Sequence, residues 1–158
     1  MSMYEEGMKL LEEKFGNGKD NVIALATISH ELSESGFPKP CVRDVDAYYH
    51  DGSFYIVTYA LSKKVKQIKL NPEVAISANF EDFYATGTGY NLGWVLDPKN
   101  AEIRTKLREV FKEWYDFAND ESDVNFSFVQ IKLNKGTLRI NHGEKFYKFD
   151  FNEKTANE

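Results

Sequence analysis

Between Ser62 and Leu70 the run SKKVKQIKL carries Lys63, Lys64, Lys66 and Lys69 and no acid. Ser62 suits a helix N-cap and Asn71-Pro72 closes the segment, so the spacing predicts a short helix over Ser62 to Leu70. Val65 and Ile68 then turn toward a core, and Gln67 shares a face with Lys63 or Lys64. The free N–H groups of a first helical turn carry partial positive charge and ordinarily attract Asp or Glu. Each lysine placed there costs from a few tenths of a kcal/mol to about 1 kcal/mol. A bound phosphate reverses the sign, because backbone amides and ammonium groups then share one anion. Solvated lysines are the competing reading.

Arg43 is the second candidate. In CVRDVDAYY the residues Cys41, Arg43, Val45, Ala47 and Tyr49 point one way and Val42, Asp44, Asp46 and Tyr48 the other. A guanidinium on the more apolar face must snorkel, pair with a carboxylate or meet a ligand. The sequence leaves a salt bridge and a ligand contact equally open. After the Asp51-Gly52 turn, FYIVTY returns as a hairpin partner and delivers Thr58 to the edge from which the lysines emerge.

Other chemistries fare worse. GTGYNLG, Gly87 to Gly93, is one residue too long for a dinucleotide fingerprint and lies inside a strand pattern. Asp44 and Asp46 share a face with no third ligand at matching spacing, and His30, His50 and His142 are isolated in loops or turns, so no metal site is expected. There is no G-x-S-x-G elbow and no P-loop. Cys41, the single cysteine, reads as core and cannot form an internal disulfide.

The elements that must hold these residues follow from periodicity. Tyr4, Met8, Leu11 and Phe15 give a helix over about 3–15. A strand runs from Val22 to Ser29, a polar loop covers HELSESGFPKP, and the Cys41 and Phe54 strands flank the Asp-Gly turn. VAISANF is another strand, and YATGTGYNLGWVL a long one that bends or bulges at its glycines. Asp97-Pro98 starts a helix whose apolar stripe, Ile103, Leu107, Val110, Phe111, Trp114, Phe117 and Ala118, reaches about residue 118. Three short strands follow, FSFVQIKL, TLRIN and KFYKFDF, with turns at Asn134–Gly136 and NHGE, and NEKTANE is a loose tail. Predominant hairpins without βαβ alternation give an α+β β-barrel with helices outside it.

With 158 residues, one domain is expected over 1–158. The formal net charge of −5 gives no general field for nucleic acid or anionic lipid, so the +4 between Ser62 and Leu70 is a focused exception. No segment reaches the roughly 20 apolar residues of a membrane span, and the acidic N-terminus has no signal-like apolar run. A cytoplasmic protein is the expectation.

The run KPCVRDVDAYYHDGSFYIVTYALSKKVKQIKLNPEVAI resembles the FMN-binding split barrels related to pyridoxamine 5'-phosphate oxidase, including the general-stress-protein-like branch. The family pattern P-x-x-R-x-V falls on Pro40, Arg43 and Val45, its hairpin on Asp51-Gly52 and its strand-ending threonine on Thr58. The pattern S-x-K-V-x-Q-I-x-x-N-P-x-V falls on Ser62, Lys64, Val65, Gln67, Ile68, Asn71, Pro72 and Val74. The resemblance implies an antiparallel split β-barrel with flanking helices and a homodimer with FMN at the subunit interface. It implies phosphate contacts from Lys63 and Lys64, assisted by Ser62 and Gln67, while Arg43, Val57 and Thr58 line the ribityl chain or ring. Phe83, Tyr84 and Trp94 are the candidates for contacts from the second subunit.

The function implied is a small oxidoreductase that uses FMN for hydride or electron transfer, with NADH, NADPH or another electron donor, an unknown substrate and no assigned catalytic residue. The alternative is a non-catalytic flavin carrier, redox sensor or haem-binding relative. A true pyridoxamine 5'-phosphate oxidase is a third reading, against which KFYKFDFNEKTANE lacks the arginine- and tryptophan-containing segment those enzymes use for substrate.

Overall fold

The computed structural model describes residues 1–78 and 80–158. Its elements are α1 (Met3–Phe15), β1 (Asn21–Leu32), β2 (Pro38–His50), β3 (Ser53–Tyr59), α2 (Lys63–Leu70), β4 (Glu73–Ala78) and β5 (Phe83–Trp94). They continue with α3 (Ala101–Val110), α4 (Tyr115–Ala118), β6 (Phe126–Ile140), β7 (Lys145–Asp150) and β8 (Thr155–Asn157). The strands form one antiparallel sheet in the order β3-β2-β1-β4-β5-β6-β7-β8, and a further pairing of β3 with β6 closes the first six into a barrel. The expected α+β barrel with outer helices is therefore the observed architecture.

Alternation decides what faces inward. Ile23 and Leu25 of β1, Ala47 and Tyr49 of β2, Phe54 and Ile56 of β3, and Val129, Ile131 and Leu133 of β6 fill the barrel. At the end holding the β2–β3 turn, α1 adds Leu11 and Phe15, and Phe15 packs on Tyr49, Phe54 and Phe83. The turn is of the primed hairpin kind, with φ of 42° at Asp51 and 77° at Gly52. At the other end α2 sends Val65 and Ile68 inward. Gly89 permits this, because a Cβ there would stand 2.8 Å from Ile68 Cγ2. A second core lies outside the barrel, where Leu107 and Phe111 meet Tyr48, Val95, Tyr115 and Phe128.

Two features of the strands build the split. β2 and β3 pair only through Tyr48–Tyr55, Tyr49–Phe54 and His50–Ser53, although β2 stays paired with β1 from Pro38 to Ala47. Beyond Tyr48 the two strands part, which leaves facing edges over 41–47 and 56–59. β6 pairs with β5 along most of its length on one side; on the other it pairs with β3 over 126–132 and with β7 over 135–140.

This second feature corrects the sequence expectation of a turn at Asn134–Gly136. The residues form a bulge within one continuous strand, where Leu133 opposes Gly87 and Lys135 opposes Thr86. Asn134 bridges the irregularity, its side chain donating to Thr88 Oγ1 and its carbonyl accepting from Phe151 N–H.

Other expectations need correction. The helix expected to reach about residue 118 stops at Val110; the chain turns and resumes at Tyr115. The break lets Phe111 and Tyr115 both enter the second core and frees Trp114 to donate to Asp20, while Phe117 is left exposed. The loop expected over His30 to Pro40 shrinks to 33–37, because β1 and β2 continue pairing across an irregularity between Ser29 and Leu32. The tail expected to be loose supplies β8, which pairs with the free edge of β7. The strand expected over 74–80 is seen as β4; Asn79 lies outside the described residues. The bends expected in β5 occur near Gly87 and Gly93.

Candidate functional site

The α2 end of the barrel is polar where the middle of its interior is apolar. Arg43 extends from β2 toward β1 and α2, donating from Nη1 to Thr27 Oγ1 at 2.7 Å and to Leu25 O at 3.3 Å, and from Nη2 to Gln67 Oε1 at 3.1 Å. Thr27 in turn donates its hydroxyl proton to Gln67 Oε1. Lys64 donates from Nζ to Thr58 Oγ1 at 2.9 Å, joining α2 to the end of β3. Burial, and then the nearby charge of Arg43, push the Lys64 ammonium below the usual lysine range.

The charge balance of this cluster tells the rest. Among the described residues no carboxylate comes within ion-pair distance of Arg43, Lys63 or Lys64. The salt bridge that the sequence left open for Arg43 is thus not made. Ser62 occupies the N-cap position of α2, yet its side chain makes no capping bond and its buried Oγ has no partner among the described residues. Ser127, opposite Thr58 on β6, likewise has a buried hydroxyl without a partner among the described residues. Cations without acids and hydroxyls without partners are what an anion with several oxygens would satisfy.

The structure brings together Arg43, Thr58, Ser62, Lys64 and Gln67 at this end. Lys63 is exposed at the first helical position beside them. Val57 points to the opposite face of β3 and packs, with Trp94, against the second core. Trp94 donates its indole N–H to Glu121 O at 2.9 Å. Of the other expected partner contacts, Tyr84 is exposed, whereas Phe83 is buried against Phe15 and cannot reach a second subunit without unpacking the core. Gln67 is 4% exposed, with its oxygen shared by Arg43 and Thr27 and its amide N–H directed at Cys41 Sγ, 3.6 Å away.

Thr27 was not singled out from the sequence, although a threonine at the third inward position after Ile23 and Leu25 was a signal that something polar lay at that end. Also unforeseen is a cleft of about 570 Å³ on the outer face, where β2 and β3 are still joined. Tyr48, His50, Tyr55 and Gln130 line its floor, and Lys99, Ile103 and Lys106 its wall. The Tyr48 and His50 rings are nearly parallel, at 5° and 6.2 Å. From Arg43 to Tyr48 the strand advances about 17 Å at the usual rise per residue.

Among the described residues no three His, Cys, Asp or Glu side chains are grouped to hold a metal ion, and no helix is long and apolar enough to cross a membrane.

No protein-family model matches the sequence, and no curated protein does. Solved structures do match. A NimC/NimA family protein from Clostridium acetobutylicum is 23% identical, with 93% of this chain and 95% of that one covered and a TM-score of 0.63. A heme binding protein from Mycobacterium smegmatis is 12% identical, with 96% of this chain and 59% of that one covered and a TM-score of 0.64. A pyridoxamine 5'-phosphate oxidase-related, FMN binding protein from Nostoc punctiforme is 14% identical, with 91% and 85% covered and a TM-score of 0.56. What these proteins share with this chain is its fold, the antiparallel split β-barrel with flanking helices that the sequence led us to expect.

Proposed function

We propose that this chain binds FMN in the fork between β2 and β3, as a cytoplasmic homodimer, and serves as a small oxidoreductase. The observation that carries the reading is the convergence of Arg43 and Lys64 on the open end of the fork with no carboxylate among the described residues to neutralise them. A phosphate there is held by the ammonium groups of Lys63 and Lys64, the uncapped first turn of α2 and the Ser62 hydroxyl. Arg43 approaches from the β2 side and Thr58 keeps Lys64 turned inward. The unpaired edges of β2 and β3 supply backbone donors and acceptors to the rest of the ligand, as a strand edge does for any polar planar partner. A relative in fold that binds FMN supports the choice of ligand.

When bound, FMN supplies a ring that accepts a hydride and passes electrons on. The chain's own part is to bind the phosphate, orient the ligand along the fork and shape the cleft beside Tyr48 and Tyr55 through which a reactant and an electron donor such as NADH or NADPH reach it. No protein acid or base is assigned to a proton at this site.

The visible spectrum of freshly purified protein is the first test, and a yellow flavin spectrum is expected. A haem spectrum would favour the second reading, a haem-binding protein, for which His50 in the cleft is the available imidazole and the heme binding structure of like fold is the precedent. Lys63→Ala with Lys64→Ala should weaken FMN far more than riboflavin; equal losses for the two ligands would remove the phosphate from this site. Solution mass near twice that of the chain is expected, and a monomer that binds FMN tightly would contradict the interface site. Failure of NADH and NADPH to reduce the loaded protein would leave a binding protein in place of an enzyme.

A further inference from the structure

A guanidinium has five N–H donors. In Arg43 three are engaged within the chain, two from Nη1 to Thr27 Oγ1 and Leu25 O and one from Nη2 to Gln67 Oε1. The remaining donors are Nε–H and the second Nη2–H, which lie side by side on one edge of the planar group and have no acceptor among the described residues. That edge is the one with which arginine grips two oxygens of a phosphate in parallel.

The groups that hold the other edge are neutral and fully used. Thr27, 0% exposed, accepts from Arg43 and donates to Gln67 with the same hydroxyl. Both lone pairs of Gln67 Oε1 are then taken, one by Arg43 and one by Thr27, and its amide nitrogen faces Cys41 Sγ. A glutamate at position 67 would have the same shape and accept the same two bonds, but it would neutralise the guanidinium.

We infer that Thr27 and Gln67 are positioning residues for Arg43, an uncharged brace that fixes the guanidinium by one edge and leaves the other edge, with its full charge, to read a phosphate dianion. This rests on the FMN reading above. Gln67 acts on the phosphate through Arg43, and Thr27 belongs to the site although it touches no ligand.

The test is the ratio of riboflavin Kd to FMN Kd, measured by flavin fluorescence on the full chain, with far-UV circular dichroism and melting to confirm folding. Wild type is expected to favour FMN strongly. Thr27→Ser, which keeps the hydroxyl, should retain the ratio, whereas Thr27→Val and Gln67→Glu should each lower it about tenfold or more, the loss of a charge-assisted contact. Riboflavin affinity should stay within about twofold, since the phosphate end alone is altered. A folded Thr27→Val or Gln67→Glu protein with the wild-type ratio overturns the inference, and either variant suffices if the other does not fold. A wild type that does not discriminate between the two flavins overturns the phosphate reading itself, so the two failures are told apart by the wild-type ratio.

Discussion

Two groups of basic side chains sit on this barrel and meet opposite surroundings. On the outer face Arg104 donates to Glu121 from Nε at 2.6 Å and from Nη2 at 2.9 Å. Arg108 meets the same carboxylate at 2.8 Å and Asp116 at 2.7 Å, and lies over the Tyr115 ring. Those contacts raise the arginines and hold the Glu121 carboxyl below its usual range. At the α2 end, Arg43 and Lys64 meet a threonine, a glutamine and another threonine, and Lys64 is pushed down instead. The first group is complete as folded and pins α3 to the segment before β6. The second has no counterion among the described residues, a poor arrangement for stability alone.

The contrast should break cleanly under mutation. Arg43→Ala combined with Lys64→Ala is expected to raise the FMN Kd about a hundredfold or more, because two hydrogen bonds to a charged ligand are lost. Riboflavin binding should change little. A double variant that binds FMN as well as wild type would remove the distinction between the groups. Glu121→Gln should do the reverse, leaving flavin preference intact while Arg104 and Arg108 lose their shared carboxylate. With Glu121 18% exposed and the arginines about one-third exposed, a loss of roughly 1–2 kcal/mol is expected after solvent screening, a Tm decrease of a few degrees. The sign can be checked by pH. A carboxyl held low stabilises the fold above its ordinary pKa and loses that contribution as pH falls through the folded value, so the variant should converge with wild type in acid.

The sequence carried the local part of this picture well. Alternation along β2 put Arg43 on the inward face, Ser62 marked the start of α2, and Asp51-Gly52 marked the hairpin, because each follows from neighbours two to four residues away. What it did not carry is set by distant pairings. Thr27 meets Arg43 across 16 residues and Gln67 across 40, and no spacing rule reaches that far. Asn134–Gly136 has turn chemistry, yet tertiary pairing with β5 and with the chain at Phe151 holds it as a bulge. The end of α3 at Val110 was missed for a related reason. The apolar stripe continues, but Phe111 and Tyr115 are buried by turning the chain, which periodicity cannot distinguish from prolonging it. The split itself, an absence of pairing between β2 and β3 beyond Tyr48, has no signature in either strand alone.

Lys64 sharpens the comparison through opposite responses to pH. Its folded-state pKa is lowered by burial first and by Arg43 second, so folding makes the ammonium less favourable than it is in the unfolded chain. The ammonium costs stability below the folded pKa, and the cost fades as pH rises through that value toward the ordinary lysine pKa. Phosphate wants the ammonium, so FMN affinity should fall by a few fold over the same alkaline range while riboflavin affinity stays level. Lys64→Met should abolish both slopes and leave the unliganded protein as stable as wild type or more so, by up to about 1 kcal/mol. Parallel slopes for FMN and riboflavin would show that Lys64 is merely tolerated.

The smallest effect comes from the mirror image of the cation pair. Asp46 faces Asp20 on the outer side of the β1–β2 hairpin, and Trp114 Nε1–H donates to Asp20 at 3.0 Å. Among the described residues neither acid has a cation within ion-pair distance. Desolvation and the neighbouring Asp20 carboxylate push Asp46 up to about 6. Asp46 relieves the repulsion by keeping a proton, a route that a guanidinium side chain does not have. On the proposed reading, like charges without counterions mean a ligand at Arg43 and Lys64 but only a raised carboxyl at Asp46. Folded Asp46 keeps its proton between the ordinary carboxylate pKa and about 6. The unfolded chain does not, so stability should fall as pH rises through that window and level off above it. The drop should be roughly 1 kcal/mol or less once solvent screening is allowed for. Asp46→Asn should flatten it in melts at about pH 5 and about pH 7.5 without changing the riboflavin-to-FMN ratio; a change in that ratio would tie the acid pair to the site and undo the separation of the two ends.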